Sequence, residues 1–123
     1  MTLKEFQEEL RGVEEACLRV TGCPIAKFFR PPEGRYSQKA LKHAKECGYQ
    51  TVFWSFAYAD WDNEKQPNPD YAKAKILENV HNGGILLFHP TSQTNAEILQ
   101  DVIYTLKNEG YRFASLSELN AQA

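Results

Sequence analysis

A guanidinium, a carboxylate, an indole, an imidazole and a hydroxyl each stand just past an apolar run of this chain. Arg30 follows Ile25–Phe29, the pair Asp60-Trp61 lies beyond Tyr49–Phe56, His89 follows Ile85–Phe88, and Ser115 follows Tyr111–Ala114. Parallel α/β folds bind ligands at the carboxyl ends of their strands, so these residues would share one rim. The chain has three histidines. His89 occupies the rim, whereas His43 lies mid-helix and His81 at a helix C-terminus, where a cation suits the dipole. Those two read as structural or solvated. Each rim residue also has a plainer reading. Arg30 could be a surface ion-pair partner, Trp61 a cover for the barrel end, Asp60 and Asp62 loop caps, and His89 a satisfied loop histidine before Pro90. Their shared position favours a site over separate accidents.

Other chemistries lack their parts. Gly83-Gly84 precedes a strand instead of following one, the wrong polarity for a phosphate cradle. The sequence has no His-Glu-x-x-His, no Gly-x-Ser-x-Gly and no Cys-His nucleophile pair. Ser37 and Ser92 have no activating partner. Cys17, Cys23 and Cys47 cannot all pair within one chain, and they read as buried or incidental free thiols, the alternatives being a Cys17–Cys23 bridge or a reactive thiol.

The elements that would carry the rim follow from periodicity and punctuation. Thr2-Leu-Lys-Glu5 is a capping box opening a helix to about Val20, with Phe6, Leu10, Val13, Cys17 and Val20 as its stripe and Gly22 as its stop. Ile25–Phe29 is a strand stopped by Pro31-Pro32, because proline cannot donate to a ladder. Ser37 caps a helix to Cys47. Tyr49–Phe56 reads as a strand covered on both faces. Ala57 to Pro69 is a loop, and a helix from Asp70 to about Asn82 ends at Gly83-Gly84. Ile85–Phe88 is a third strand. Thr94-Asn-Ala-Glu97 is a second capping box, opening a helix to Glu109. Tyr111–Ala114 makes a fourth strand, and Ser115 caps a last short helix. A helix followed by four βα units implies α/β architecture with parallel strands and outer helices, as an open sheet or an arc of a barrel.

The 123 residues form one domain, 1–123, on the usual size prior. With 42% hydrophobic and 24% charged residues the composition is that of a globular chain. The formal charge of −2 lacks the basic excess of a nucleic-acid binder. No apolar run approaches the ~18 residues of a membrane span. Nor is there a charged-then-apolar start with a small-residue cleavage site.

Phe29-Arg30-Pro31-Pro32-Glu33-Gly34, then Val52-Phe53-Trp54-Ser55 leading to Asp60-Trp61, then Ile85-Leu86-Leu87-Phe88-His89 resemble the later motifs of the polysaccharide deacetylases, the NodB-homology family. The Arg-Pro-Pro-x-Gly form and the Trp-Ser…Asp-Trp stretch look most like the bacterial branch that includes muramic δ-lactam-forming de-N-acetylases. Tyr111-Arg112-Phe113 and Leu116-Ser117-Glu118-Leu119 resemble that family's last strand and helix, so the likeness runs from about residue 3 to 120. The family's Thr-Phe-Asp-Asp-Gly and paired-histidine motifs, which supply the catalytic base and the metal ligands, have no counterpart here. Ala57 stands where many members carry a further aspartate. The chain is therefore expected to be the carboxyl-terminal half of a distorted (β/α) barrel, lacking the amino-terminal metal-binding half.

The resemblance implies hydrolysis of N-acetyl groups on an amino-sugar polysaccharide. His89 would be the general acid that protonates the leaving amine, and Asp60 would orient it. Leu87 and Trp61 would line the acetyl pocket, and Arg30 would hold the absent catalytic aspartate. No metal is assigned to residues of this chain, while the complete enzyme is expected to use a divalent ion, zinc by resemblance. A cell-envelope or extracytoplasmic location is implied for a complete member. The isolated chain should be inactive. The competing readings are a non-catalytic carbohydrate-binding half-barrel and an inactive fragment. Half a barrel exposes two sheet edges and an uncovered lumen, so self-association, most simply as a two-fold dimer, is expected.

Overall fold

The computed structural model describes residues 1–121, and its backbone divides into two compact units, Met1–Phe53 and the chain from Trp54 onward. The first unit contains α1 (Leu3–Thr21), β1 (Phe28–Phe29), α2 (Gln38–Glu46) and β2 (Gln50–Thr51). The second contains β3 (Phe56–Ala57), α3 (Pro69–Asn79), β4 (Leu86–Leu87), α4 (Gln93–Asn108) and α5 (Leu116–Ala121). The architecture is α/β with short parallel strands. β1 pairs with β2 in the register Phe28 to Gln50, and β3 with β4 in the register Phe56 to Leu86.

Local chemistry explains the helix starts. Thr2 accepts from the backbone N–H of Glu5, and the Glu5 carboxylate accepts from the Thr2 N–H at 2.6 Å, completing the capping box. Gly22 ends α1 in the left-handed region at φ 73°, where a side chain would be strained. Ser37 caps α2 through the Ala40 N–H, as its position implies. In α1 only Phe6 is buried, with Val13 and Val20 exposed. The first core joins Phe6 to Ala44 and Tyr49, and Phe6 meets Phe29 edge to face at 5.6 Å. His43 is not solvated: it packs against Phe6, and both ring nitrogens are buried without a hydrogen bond, Nδ1 coming only to 3.8 Å from Glu46.

The Tyr49 hydroxyl donates to the Glu14 carboxylate at 2.6 Å. Burial, then that acidic partner, pushes the phenol up to about 12 from its ordinary 10. A folded-state value above the unfolded one means the protonated phenol is favoured by folding. Its contribution is therefore complete below pH ~10 and lost as pH rises toward 12. Thermal unfolding followed between those limits should show a steeper loss of stability for the native chain than for Tyr49→Phe, and parallel curves would remove the Tyr49–Glu14 contribution.

Several boundaries differ from the sequence reading, most because a partner outside the segment decides them: Ile25–Phe29 shortens to β1 and Ile85–Phe88 to β4. The run Tyr49–Phe56 is not one strand: its ends form β2 and β3, which pair with different neighbours. Residues 111–114 form no strand among the described residues. The Tyr111 N–H instead bonds the Leu106 carbonyl at the end of α4, and the Tyr111 ring packs on the second core. The Thr94–Glu97 box does not form, because the Thr94 hydroxyl donates to the Pro67 carbonyl and Glu97 accepts from Gln93. Ser92 is the cap, accepting from the Asn95 N–H. α3 starts at Pro69 behind an Asn68 cap and ends at Asn79, with Val80 already extended. Ala72 and Ile76 of α3 face Ile98, Val102 and Leu106 of α4, and this second core lies against Phe56, Leu86 and Phe88. It fixes the ends of β3 and β4 relative to the start of α4.

Candidate active site

The loop after β3 and the turn after β4 meet at the first turn of α4. Asp60 is drawn inward by a tight three-residue turn, its N–H bonding the Tyr58 carbonyl, and it has no solvent exposure. A buried carboxylate needs donors on both oxygens. His89 supplies two: Nδ1–H donates to Oδ1 at 2.6 Å and the backbone N–H donates to Oδ2 at 2.8 Å. Asn95 supplies the third, Nδ2 to Oδ2 at 2.7 Å. Because an ionised carboxylate only accepts, His89 carries its proton on Nδ1, and Nε2 is left as the nitrogen that exchanges protons. The His89 side chain is 32% exposed. A buried carboxylate thus holds an imidazole that solvent or a ligand can reach, an arrangement suited to general acid–base chemistry.

Trp61, 63% exposed, stands edge to face with the His89 ring at 6.5 Å between centroids. Leu87 is half-buried and ends β4, two residues before His89. Asp60, Trp61 and His89 therefore meet directly. Arg30 is an exposed residue just past β1 in the first unit. Ser115 contributes to the end of the chain instead, accepting from the Glu118 N–H at the start of α5. Asp62 is exposed and accepts from the Glu64 N–H, so only one of the two loop aspartates enters the site.

Residues that the sequence reading passed over complete the surroundings. The Tyr58 hydroxyl donates to Asn95 Oδ1. Burial, followed by the Asp60 charge, raises the Tyr58 phenol above its ordinary range, which keeps it a donor. Ser92 donates to Gln66 Oε1 at 2.6 Å, and Gln66 Nε2 donates to the carbonyls of Asp60 and Asp62, both at 2.9 Å. Gln66 thereby ties the aspartate loop to the α4 cap. One signal for this network was present: Asn95 continues the stripe Ile98, Val102, Leu106, and an amide on an apolar face implies buried partners.

No family model matches the chain. It is 42% identical over 118 residues to the peptidoglycan-N-acetylmuramic acid deacetylase PdaA of Bacillus subtilis, covering 96% of this chain and 45% of that protein. The structure of PdaA, described as a family 4 carbohydrate esterase, superposes with a TM-score of 0.94 at 40% identity, over 99% of this chain and 52% of the other. A peptidoglycan-N-acetylglucosamine deacetylase of Bacillus cereus is 39% identical over 98 residues, covering 75% of this chain and 44% of that protein. A Bacillus anthracis protein described as a family 4 pseudoenzyme superposes with a TM-score of 0.83 at 26% identity, over 97% of this chain and 41% of the other. The chain spans about half the length of the curated relatives it matches.

Proposed function

We propose, for a chain that belongs to the polysaccharide deacetylases of carbohydrate esterase family 4, that it is the carboxyl-terminal half of a deacetylase barrel acting on N-acetyl groups of amino sugars in a peptidoglycan-like glycan. The observation that carries this reading is the 2.6 Å bond between buried Asp60 and His89, on a rim that also holds Trp61. An amide nitrogen leaves poorly unless it is protonated. His89 Nε2 delivers that proton, while Asp60 keeps Nδ1–H in place. Trp61 and Leu87 form an apolar wall for the acetyl methyl. Arg30 holds the carboxylate that takes the proton of the attacking water, a group that this sequence does not supply.

Among the described residues no three His, Cys, Asp or Glu side chains converge as a metal-binding set. The chain's own residues thus do not fit the divalent metal, zinc by resemblance, that a complete member is expected to hold. Its ligands belong to the amino-terminal motifs absent from this sequence, and no step is derived through it. The chain by itself should release no acetate from N-acetylated peptidoglycan. Substituted for the matching segment of PdaA, it should restore a folded chimera that does. A folded chimera without activity would favour the second reading, a non-catalytic glycan-binding half, for which the similarity to a pseudoenzyme speaks.

Self-association belongs to the same proposal. The strands are two residues long, and Val20, Tyr36, Trp61, Tyr71, Tyr104 and Phe113 are exposed. Leaving several apolar side chains wet costs roughly 1.5–3 kcal/mol each. Sedimentation at micromolar concentration should therefore detect a dimer or higher species. A monomer with a concentration-independent thermal transition would count against it.

A further inference from the structure

Asn95 uses its whole side-chain amide on the Asp60–His89 pair and on one tyrosine. One Nδ2–H reaches Asp60 Oδ2 at 2.7 Å, the other faces the His89 carbonyl at 3.3 Å, and Oδ1 accepts from Tyr58. The amide can sit only one way round. Asp60 offers no proton, so Nδ2 must face it, and Oδ1 is then left for the tyrosine hydroxyl. The backbone N–H of Asn95 is fixed by the Ser92 cap at 3.1 Å. Both the side chain and the backbone of Asn95 are thus held before it touches the aspartate.

We propose that Asn95, locked by Tyr58, is the positioning residue for the Asp60–His89 pair: it holds the Asp60 carboxylate in the rotamer that keeps the His89 proton on Nδ1. This rests on the functional reading above, in which His89 works through Nε2. The physical reason is geometric. Asp60 Oδ1 bonds His89 Nδ1, and both other donors act on Oδ2. Without Asn95, Oδ2 keeps only the His89 N–H, so the carboxylate can rotate about its Cβ–Cγ bond and the bond to Nδ1 loses its fixed direction. Tyr58 acts one step further out, because without its hydroxyl the Asn95 amide is free to turn. The Tyr58 ring packs beside Phe56 and edge-on to Phe88, contacts that phenylalanine retains.

Nitrogen-15 NMR of the histidine rings in the full chain tests this without reference to activity. The native protein should show a single Nδ1–H form for His89 and a protected Nδ1–H proton resonance. In Asn95→Leu that resonance should disappear and the two ring nitrogens should average, while the methyl signals of Ile76, Ile98 and Val102 stay in place. In Tyr58→Phe the resonance should persist but exchange with water about tenfold faster. If Asn95→Leu does not fold, Tyr58→Phe decides: faster exchange supports the assignment and unchanged exchange overturns it. A folded Asn95→Leu with the native His89 pattern also overturns it. An inactive PdaA chimera alongside a lost Nδ1–H form would remove the functional reading and leave this one. A working chimera with an undisturbed His89 would do the reverse.

Discussion

Alanine at His89, introduced into a PdaA chimera that carries this chain, is expected to lower acetate release by about 10²–10⁴-fold, the range for removing a positioned general acid. The loss should fall on turnover more than on substrate affinity, because the proton is needed as the carbon–nitrogen bond breaks and not when the sugar binds. Metal content should match that of the unsubstituted chimera, because in this reading His89 is bonded through Nδ1 to Asp60 and is not a ligand. Loss of metal in parallel with activity would make His89 a ligand and the general-acid role wrong. Unchanged turnover in a chimera with full metal content would remove both roles.

Asp60→Ala should be the most damaging single substitution for the stability of the second unit. It strips three donors of their acceptor at once: the His89 ring, the His89 N–H and the Asn95 amide. The imidazole is partly exposed and can turn to water, but the buried Asn95 amide and the peptide N–H lose a partner where water is scarce. Each unsatisfied buried group costs about 1–3 kcal/mol, so a loss of roughly 2–5 kcal/mol is expected, against a whole-domain stability of about 5–15 kcal/mol. Asp62→Ala is the matched control two residues away. Its carboxylate is exposed and accepts one local N–H, so its removal should cost under about 1 kcal/mol. Chemical denaturation of the two variants gives the comparison. Equal midpoints would show that burial of Asp60 carries no special energy and that its donors find water or new partners.

The contrast between Asp60 and Asp62 marks where sequence reasoning stops. Both sit in one polar loop with the same charge and nearly the same neighbours, and either could cap it. Burial separates them. The tight turn at Tyr58–Asp60 and the amide of Asn95, thirty-five positions on, draw one inward, and no local rule contains that contact. The starts of α1 and α2 were legible because capping acts within four residues: Thr2 with Glu5 and Ser37 with Ala40. Order and spacing of the three motifs carried the family resemblance, since they record which residues follow which apolar runs.

Strand limits were legible only as apolar runs. A ladder needs a neighbour, so Tyr49–Phe56 splits between two partners and the aromatic Tyr111–Phe113 pairs with none among the described residues. The α4 cap shows the same limit at close range. Ser92 and Thr94 both carry a hydroxyl at a plausible start, and a distant carbonyl, that of Pro67, takes Thr94 out of contention. The sequence by itself determined the helices, the first three strand–helix alternations and the residue types that follow the apolar runs, because short-range hydrogen bonding and side-chain periodicity are written residue by residue. Which aspartate is buried, which way the Asn95 amide faces and which His89 nitrogen holds the proton were decided only by the tertiary structure, because each depends on donors and acceptors supplied by segments far apart in the chain.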